Sequence, residues 1–179
     1  YHNCLKLGYD AERLAWPAWL ADLGVNTALL PQVHAPGESL DSLHPGVAAR
    51  LGLPPETQVR AGTTDGVAAF LAAGAHAPGH GVTSLGSTLV LKLVSDRPVF
   101  SPAHGVYSHR LGDRWLTGGA SNSGGAVLAQ YFSAEELRAL TPLLKPDVPT
   151  GLDYYPLPSM GERFPVNDPA LAPRLSPRP

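Results

Sequence analysis

Apolar residues recur at helical spacing in two segments near the start of the chain. Residues 14–23 place their apolar side chains on one face, and Gly24 follows where a C-terminal cap belongs. Residues 45–51 predict a second helix that ends near the glycine after them. Core packing is the simpler interpretation of Trp16 and Trp19 in the first segment, and the wall of a substrate cleft is the alternative.

Segments that are rich in β-branched residues, or that alternate in polarity, predict strands. A short strand at residues 28–30 leads into a turn at residues 36–39, and residues 57–62 alternate as a further strand does. Residues 82–94 are β-rich, and residues 105–117 predict a hairpin around a Gly-Asp turn. We therefore expect a β-meander in the second half of the chain.

An aspartate stands at the start of an Ala-rich helical segment. The run Gly62-Thr63-Thr64-Asp65-Gly66 precedes residues 67–74, whose final glycine suits a helix cap. The carboxylate of Asp65 is thereby placed at a helix N-terminus and held in one direction, as a general base must be. An ordinary N-cap aspartate is the simpler interpretation, and the two interpretations are compatible.

Two glycine-rich turns carry small hydroxyl residues. The first covers residues 84–88, and the second, residues 118–125, feeds an apolar helix at residues 126–132. Both turns could present backbone N–H groups and hydroxyls to phosphate oxygens. Neither matches a Walker loop or a dinucleotide site, so a hairpin turn and a helix-entry turn are the competing interpretations. Ser133 then predicts the N-cap of a helix at residues 135–140.

The pattern changes again at the middle and at the end of the chain. Helices give way to strands near residues 77–79, so we place a domain boundary between residues 1–78 and 79–179. Prolines crowd the final segment and exclude regular structure there. An ordered surface connection and a linker both fit this segment, and we favour the linker. The prolines are Pro142, Pro146, Pro149, Pro156, Pro158, Pro165, Pro169, Pro173, Pro177 and Pro179.

The composition is that of a globular protein. Of 179 residues, 44% are hydrophobic and 16% are charged, so a sizeable core can be buried. A net charge of -2 gives no basic surface for nucleic acid or an anionic membrane, and neither partner is expected. Cys4 is the single cysteine, which suits a reducing cytosol and a small buried apolar side chain. The first residues lack an initiating Met and a secretory signal, so we expect the chain to begin within a longer protein.

Other catalytic and metal chemistries find little support in the residue pattern. The seven histidines lack the helical pair or compact cluster of a zinc site, and no metal-binding residue is assigned. Gly-Ala-Ser-Asn around Ser121 only loosely resembles the Gly-x-Ser-x-Gly turn of a serine hydrolase. A hydrolase that uses Ser121 is therefore the weakest of the functional hypotheses.

The order and spacing of three runs resemble those of the FGGY carbohydrate kinases. The runs are residues 62–74, residues 83–88 and residues 118–125, and Lys6-Leu7-Gly8-Tyr9-Asp10 adds to the likeness. The likeness is closest to the ribulokinase- and xylulokinase-like branch. It implies an α/β fold with an actin-like pair of ribonuclease-H-type domains, only partly represented in this chain. Sugar would bind to the first domain and nucleotide mainly to the second.

The resemblance also implies roles for individual residues. Asp65 would be the catalytic base that takes the proton of a sugar hydroxyl, with Thr64 beside it at the substrate. ATP and Mg²⁺ would be the cofactors. The residues implied at the phosphates and the nucleotide lie in the two glycine-rich turns. They are Gly86, Ser87, Thr88, Gly119, Ser121 and Asn122.

The implied function is ATP-dependent phosphorylation of a sugar or polyol hydroxyl, with a ketopentose such as ribulose or xylulose as the expected substrate. A non-catalytic sugar- or nucleotide-binding module is the alternative, because this fold does not fix one function. The resemblance places one strand-turn of the active site before Tyr1 and an adenine-binding segment after Pro179. We therefore expect the 179-residue chain alone to be weakly active or inactive. An unpaired sheet edge favours association into a homo-oligomer, and we expect a cytoplasmic protein.

Overall fold

The computed structural model describes residues 1–177, and Pro179 of the predicted tail lies outside the described residues. The chain divides into two compact units. Unit 1 is Tyr1–Gly74 with His109–Asp113, and unit 2 is Ala75–Ser108 with Arg114 and the residues after it. The assignment of residues 1–78 to sugar binding and 79–179 to nucleotide binding stays a prediction. No helix within residues 1–177 combines the length and the apolar character that crossing a membrane requires.

Unit 1 is built from short helices around a two-stranded antiparallel sheet. Its buried apolar side chains include Tyr9, Leu20, Ala48, Val67 and Phe70. The predicted helices at residues 45–51 and 67–74 and the strand at residues 57–62 are confirmed. The elements are α1 (Trp19–Asp22), β1 (Ser39–Ser42), α2 (Pro45–Leu51), β2 (Gln58–Arg60) and α3 (Asp65–Ala72), with 3₁₀ helices at His2–Leu7 and Thr27–Leu29.

The predicted helix at residues 14–23 is wrong over most of its length, because α1 is a single turn. Pro17 disfavours helical backbone at the residue before it, so a helix cannot run through this point. Leu14 adopts a left-handed φ of 55°. Asp10 and Ala15 exchange backbone hydrogen bonds of 3.0 and 3.2 Å and close a tight loop instead.

The strand predicted at residues 28–30 is also wrong. Thr27–Leu29 form a 3₁₀ turn that Asn26 caps, because the Asn26 side chain accepts a 3.1 Å hydrogen bond from the Ala28 amide. A side chain that bonds to the backbone two residues on competes with extended structure.

Strand β1 was not predicted, since its residues carry no apolar alternation. It pairs with β2 through Ser39↔Arg60, Asp41↔Val59 and Ser42↔Gln58, with an irregularity between Ser39 and Asp41. All residues of β1 are exposed. Backbone pairing with β2, rather than burial of side chains, therefore defines this strand.

Unit 2 contains most of a four-stranded sheet and two helices. The elements are β3 (Gly81–Leu85), β4 (Leu89–Ser95), β5 (Tyr107–Leu111), β6 (Arg114–Ser121), α4 (Gly125–Tyr131) and α5 (Ala134–Leu140), with 3₁₀ helices at Pro102–His104 and Thr141–Leu143. Of β5, only Tyr107 and Ser108 belong to unit 2, and its last three residues belong to unit 1. All of these strands and both helices were predicted in type and approximate position. Val94, Trp115, Leu116, Val127 and Leu157 are among the buried residues of this unit.

The strand order corrects the predicted meander. The order is β3-β4-β6-β5, so β4 pairs antiparallel with β6, from Leu89↔Ser121 to Ser95↔Trp115. A meander would have placed β5 beside β4. The connection between β4 and β5 is long enough to include the 3₁₀ helix Pro102–His104. Strand β5 therefore does not pair with β4, and β6 occupies that position in the sheet.

Two glycines of the predicted turn at residues 118–125 lie inside β6, so the turn begins only at Asn122. A Cβ atom on Gly118 would lie 1.8 Å from the Leu91 carbonyl oxygen, and one on Gly119 would lie 2.3 Å from the Phe164 ring. These glycines are needed for close packing in a strand, not for a turn.

A capping box begins α5, as Ser133 led us to expect. The Ser133 hydroxyl accepts a 3.2 Å hydrogen bond from the Glu136 amide, and the Ser133 amide donates a 2.8 Å hydrogen bond to the Glu136 carboxylate. The two bonds satisfy backbone and side-chain groups reciprocally at the start of the helix.

Replacement of Ser133 by Ala is expected to lower the free energy of unfolding by about 1 kcal/mol, because the amide of Glu136 loses its acceptor. Urea unfolding followed by circular dichroism measures the loss. Glu135→Gln is the matched control, since Glu135 is also in the first turn but takes no part in the box. An equal loss in both variants would contradict the role of the capping box.

The proline-rich segment is irregular, as predicted, but our preference for a linker is wrong for the described residues. Tyr155 and Arg174 exchange backbone hydrogen bonds of 2.9 and 3.0 Å, and Glu162 and Asp168 pair in the same way. Leu157 is fully buried. The segment is an ordered part of unit 2 because its backbone groups pair with each other between the prolines.

Candidate active site

Asp65 is the first residue of α3 in unit 1. Thr64 occupies the N-cap position with extended backbone (φ -81°, ψ 153°), so Asp65 is not itself the N-cap. The Asp65 side chain is exposed, and its Oδ1 accepts a 2.6 Å hydrogen bond from the Gly66 amide. The carboxylate is thus accessible at the positive end of the helix.

Buried contacts on both sides hold Asp65 in place within unit 1. The hydroxyl of Thr63 is hydrogen-bonded to the Nδ1 of the buried His2 at 2.7 Å, and the other ring nitrogen of His2 is bonded to the Arg110 carbonyl. On the helix, Val67 and Phe70 are buried. The segment that delivers Asp65 is therefore fixed before and after the carboxylate.

The two predicted phosphate turns lie against each other in unit 2. Residues 86–88 form the loop between β3 and β4, closed by a 3.1 Å hydrogen bond from the Gly86 amide to the Thr88 carbonyl. The Gly86 carbonyl accepts a 2.8 Å bond from the Gly125 amide, and the Ser87 carbonyl accepts a 3.2 Å bond from the Ala126 amide. The hairpin loop is thereby fastened to the first turn of α4.

The glycines at this junction allow the close approach. A Cβ atom on Gly124 would lie 2.6 Å from the Ser87 carbonyl oxygen, and one on Gly125 would lie 3.0 Å from the Gly86 oxygen. The amides of Gly86, Gly125 and Ala126 all bond to loop carbonyls. With the loop closed, the exposed Ser87 and the half-buried Thr88 are the hydroxyl groups of this junction that could bind phosphate.

A buried carboxylate that the sequence analysis missed, Glu162 of the proline-rich segment, lies beside the last residue of β6. Glu162 is 2% exposed. Its oxygens accept hydrogen bonds from the Ser121 hydroxyl at 2.6 Å, the Asn122 amide at 2.7 Å, the Arg163 amide at 2.7 Å and the Tyr155 hydroxyl at 3.0 Å. No local pattern around Glu162 distinguishes it from an exposed loop carboxylate, because two of its donors, Ser121 and Asn122, come from about forty positions away.

The polar side chains that we predicted to contact the nucleotide form hydrogen bonds with residues 161–163 of the protein itself. Asn122 donates a 2.9 Å hydrogen bond from Nδ2 to the Gly161 carbonyl and accepts a 2.8 Å bond from Nε of Arg163. The buried Ser121 bonds to Glu162, and the Phe164 ring covers Gly119. The structure gives these residues a packing role, and their contact with a nucleotide stays a prediction.

The two tryptophans differ in their surroundings: Trp16 lines a cleft, whereas Trp19 is exposed. Trp16 lines an open cleft of about 350 Å³ in unit 1 together with Tyr9 and Leu14, and its Nε1 donates a 3.2 Å hydrogen bond to the Pro31 carbonyl. Trp19 is 49% exposed, so core packing is wrong for this residue.

No protein-family model matches the chain. The chain is 28% identical over 157 residues to a gluconokinase of Bacillus subtilis (strain 168), an alignment that covers 86% of this chain and 28% of the relative. It is 27% identical over 161 residues to a gluconokinase of Bacillus licheniformis, with the same shares covered.

Solved structures give the same result. A xyloylose kinase from Brucella ovis superposes with a TM-score of 0.75 at 26% identity, over 89% of this chain and 34% of that one. The chain is similar in sequence and fold to carbohydrate kinases of the FGGY family. A gluconate kinase from Lactobacillus acidophilus has the same fold, with a TM-score of 0.75 at 22% identity, over 89% of this chain and 34% of its own.

These findings confirm the predicted resemblance to FGGY carbohydrate kinases and the predicted fold class, the actin-like α/β architecture partly represented. The chain spans about a third or less of the length of the relatives that it matches, 28% for the gluconokinases and 34% for the solved kinases. Among the residues from 1 to 177, no group of three or more His, Cys, Asp and Glu side chains is placed to hold a metal ion.

The hydrogen bonds around Glu162 set its charge state. Burial raises the pKa of this carboxyl, but the donors on Ser121, Asn122, Arg163 and Tyr155 outweigh burial and hold the pKa below its usual value. Burial, together with the hydrogen bond to Glu162, raises the pKa of the Tyr155 hydroxyl. The pair is therefore a carboxylate and a neutral phenol at neutral pH.

The stability of unit 2 is expected to fall on acidification. The folded-state pKa of Glu162 is below the unfolded value of about 4.3, so its contribution is present above that pH. The contribution is lost as the pH falls through the folded-state pKa. Unfolding free energies at pH 7 and at about pH 3 should therefore differ more in the wild type than in Glu162→Gln. The same difference in both proteins would contradict this account.

Proposed function

We propose that the protein phosphorylates a hydroxyl of a sugar or polyol with ATP, and that Asp65 is the general base. The observation that carries the proposal is the exposed carboxylate of Asp65, held at the start of α3 by buried contacts on both sides. The relatives support it, since they are named gluconokinase, gluconate kinase and xyloylose kinase.

Asp65 would act on the hydroxyl that receives the phosphoryl group. Its other carboxylate oxygen would accept the proton as the sugar oxygen attacks the γ-phosphorus, and the bond from that phosphorus to the β–γ bridging oxygen would break to release ADP. The carboxylate lies at the N-terminus of α3, where the helix dipole attracts negative charge. Thr64, which precedes Asp65 at the N-cap, is the proposed neighbour of the sugar.

The proposed cofactors are ATP and Mg²⁺, with residues 79–179 in the nucleotide-binding role and residues 1–78 in the sugar-binding role. Ser87 and Thr88 fit a phosphate oxygen through their hydroxyls, whereas the Gly86 amide is bonded within the loop. When bound, Mg²⁺ offsets negative charge on the β- and γ-phosphates. The chain's own part is to hold the hairpin loop in a fixed position.

The acceptor that we propose is a ketopentose such as xylulose or ribulose. Gluconate is the second acceptor, because the curated relatives are named gluconokinases. Both are small polyhydroxylated compounds with a terminal hydroxyl that an aspartate can deprotonate. The choice between them decides the substrate and leaves the proposed reaction unchanged.

A substrate panel tests the proposal on the natural polypeptide that contains this sequence. ADP release is measured with ATP–Mg²⁺ and xylulose, ribulose, gluconate or glycerol in turn. We expect one of these compounds to stimulate ADP release and the reaction without sugar to stay at background. Binding of a sugar without stimulated release from any of them would instead support a non-catalytic binding module.

Ser121 is unsuited to the alternative role of a hydrolase nucleophile. It is buried, and its hydroxyl donates to Glu162 while accepting a 3.0 Å hydrogen bond from the Ser123 amide. A nucleophilic serine needs an accessible hydroxyl beside a base. Failure of an electrophilic serine probe to label Ser121 is the expected result.

A further inference from the structure

We propose that Glu162 is a positioning residue for the hairpin loop at residues 86–88, acting through the turn at residues 122–124. The inference rests on the proposed function only where it concerns nucleotide. The placement of the loop by Glu162 is a property of unit 2 itself. Glu162 lies far from the loop in sequence, and a continuous series of contacts joins them.

The first step of the series fixes the turn. One carboxylate oxygen of Glu162 accepts a 2.7 Å hydrogen bond from the Asn122 amide, and the other accepts a 2.6 Å hydrogen bond from the Ser121 hydroxyl. The Ser121 hydroxyl in turn accepts a 3.0 Å hydrogen bond from the Ser123 amide. The backbone of the turn is thus bonded to the carboxylate both directly and through one side chain.

The second step passes from the turn to the hairpin loop. Gly124 follows Ser123 directly and packs so closely on the loop that a Cβ atom would lie 2.6 Å from the Ser87 carbonyl oxygen. The next two amides, of Gly125 and Ala126, donate to the Gly86 and Ser87 carbonyls. A change in the turn therefore moves the donors that hold the loop.

The direction of support follows from burial. Glu162 is buried and bonded to several donors, whereas Ser87 at the loop is exposed. Two of the three loop residues, Gly86 and Ser87, are exposed, so the position of the loop depends on the groups that bind its carbonyls. Glu162 supplies the fixed point, and the loop supplies the exposed hydroxyl of Ser87 and the half-buried Thr88.

Amide hydrogen exchange on the 179-residue chain tests the placement of the loop without any activity. In Ser121→Ala, which breaks the series, exchange of the Gly125 and Ala126 amides should rise about tenfold. Exchange of the Leu137 amide in α5, which bonds to the Ser133 carbonyl, should stay unchanged. Glu162→Gln should act in the same direction.

Tyr155→Phe is the matched control. The Tyr155 hydroxyl donates to the same carboxylate at 3.0 Å and also interacts with the Ser121 side chain. The amides of Asn122 and Ser123 in the turn, however, bond to Glu162 and Ser121 rather than to Tyr155. We expect its effect on the Gly125 and Ala126 amides to be much smaller than that of Ser121→Ala. Equal effects of the two variants, or an equal rise at Leu137, would overturn the proposal, since either indicates general destabilisation. If Glu162→Gln does not fold, the comparison of Ser121→Ala with Tyr155→Phe still decides whether the series of contacts positions the loop.

A kinetic experiment tests the link to nucleotide in the natural polypeptide. Ser121→Ala and Glu162→Gln should raise KM for ATP about tenfold, with KM for the sugar unchanged, and Tyr155→Phe should leave both near wild type. Unchanged KM for ATP in an active enzyme would overturn this link. Absence of turnover in the wild type would refute the proposed function instead, and the exchange experiment would still decide whether Glu162 positions the loop.

Discussion

Replacement of Asp65 by Asn is expected to lower kcat of the natural polypeptide by about 10²- to 10⁴-fold, the range typical of a lost general base. Asn keeps the size of the side chain and can still accept the 2.6 Å hydrogen bond from the Gly66 amide through its oxygen. It cannot take a proton from the sugar at neutral pH. Steady-state kinetics at saturating sugar and ATP measures the loss.

Sugar affinity separates catalysis from binding in this experiment. We expect the dissociation constant of the sugar to change little in Asp65→Asn, because hydrogen bonding by the side chain is largely kept. Asp22→Asn, an exposed aspartate at the end of α1, is the control and should keep full activity. Near wild-type kcat in Asp65→Asn would exclude Asp65 as the base.

Replacement of Gly118 by Ala is expected to cost about 3 kcal/mol or more in unfolding free energy, at the upper end of overpacking effects. The added Cβ would lie 1.8 Å from the Leu91 carbonyl oxygen and 2.8 Å from its carbon. These are backbone atoms of the paired strand β4, so no side-chain rotation relieves the overlap. The two strands must separate, and denaturant unfolding of the chain measures the cost.

Gly81→Ala is the matched control for this effect. Gly81 lies in the same sheet, but a Cβ atom there would meet its nearest neighbour, the Lys92 carbonyl oxygen, at an ordinary 3.5 Å. Its stability should stay within about 0.5 kcal/mol of wild type. Similar losses in both variants would show that glycine flexibility, rather than the overlap, is responsible.

Local signals in the sequence were sufficient where an element carries its own start and stop. Helix α2 begins with Pro45 and ends before the left-handed Gly52, and α5 begins at the capping box of Ser133. Each of these features acts within a few residues. The same reasoning failed at residues 14–23, where Pro17 interrupts an apolar pattern that would otherwise form a helix.

Features that depend on distant partners could not be predicted in this way. The polar strand β1 exists because β2 pairs with it, and Gly118 and Gly119 are required by Leu91 and Phe164 rather than by a turn. A turn and a tightly packed strand both favour glycine, so the residue type alone did not separate them.

The residues of the candidate site also differ in whether local or distant contacts determine them. Asp65 was predicted because a helix start fixes a carboxylate locally, and the structure places it there. Glu162 was missed because its donors, Ser121 and Asn122, come from the end of β6 about forty positions away. A buried carboxylate in an irregular segment has no periodic pattern that identifies it.

Mass spectrometry of the sugar after incubation with ATP–Mg²⁺ and the natural polypeptide is the most direct test of the proposed reaction. We expect the accepted sugar to gain one phosphoryl group, with ADP formed in equal amount, and the gain to disappear in Asp65→Asn. Formation of ADP and free phosphate with the sugar unmodified, or no reaction with any sugar or polyol, would contradict the proposal that this chain is part of a carbohydrate kinase.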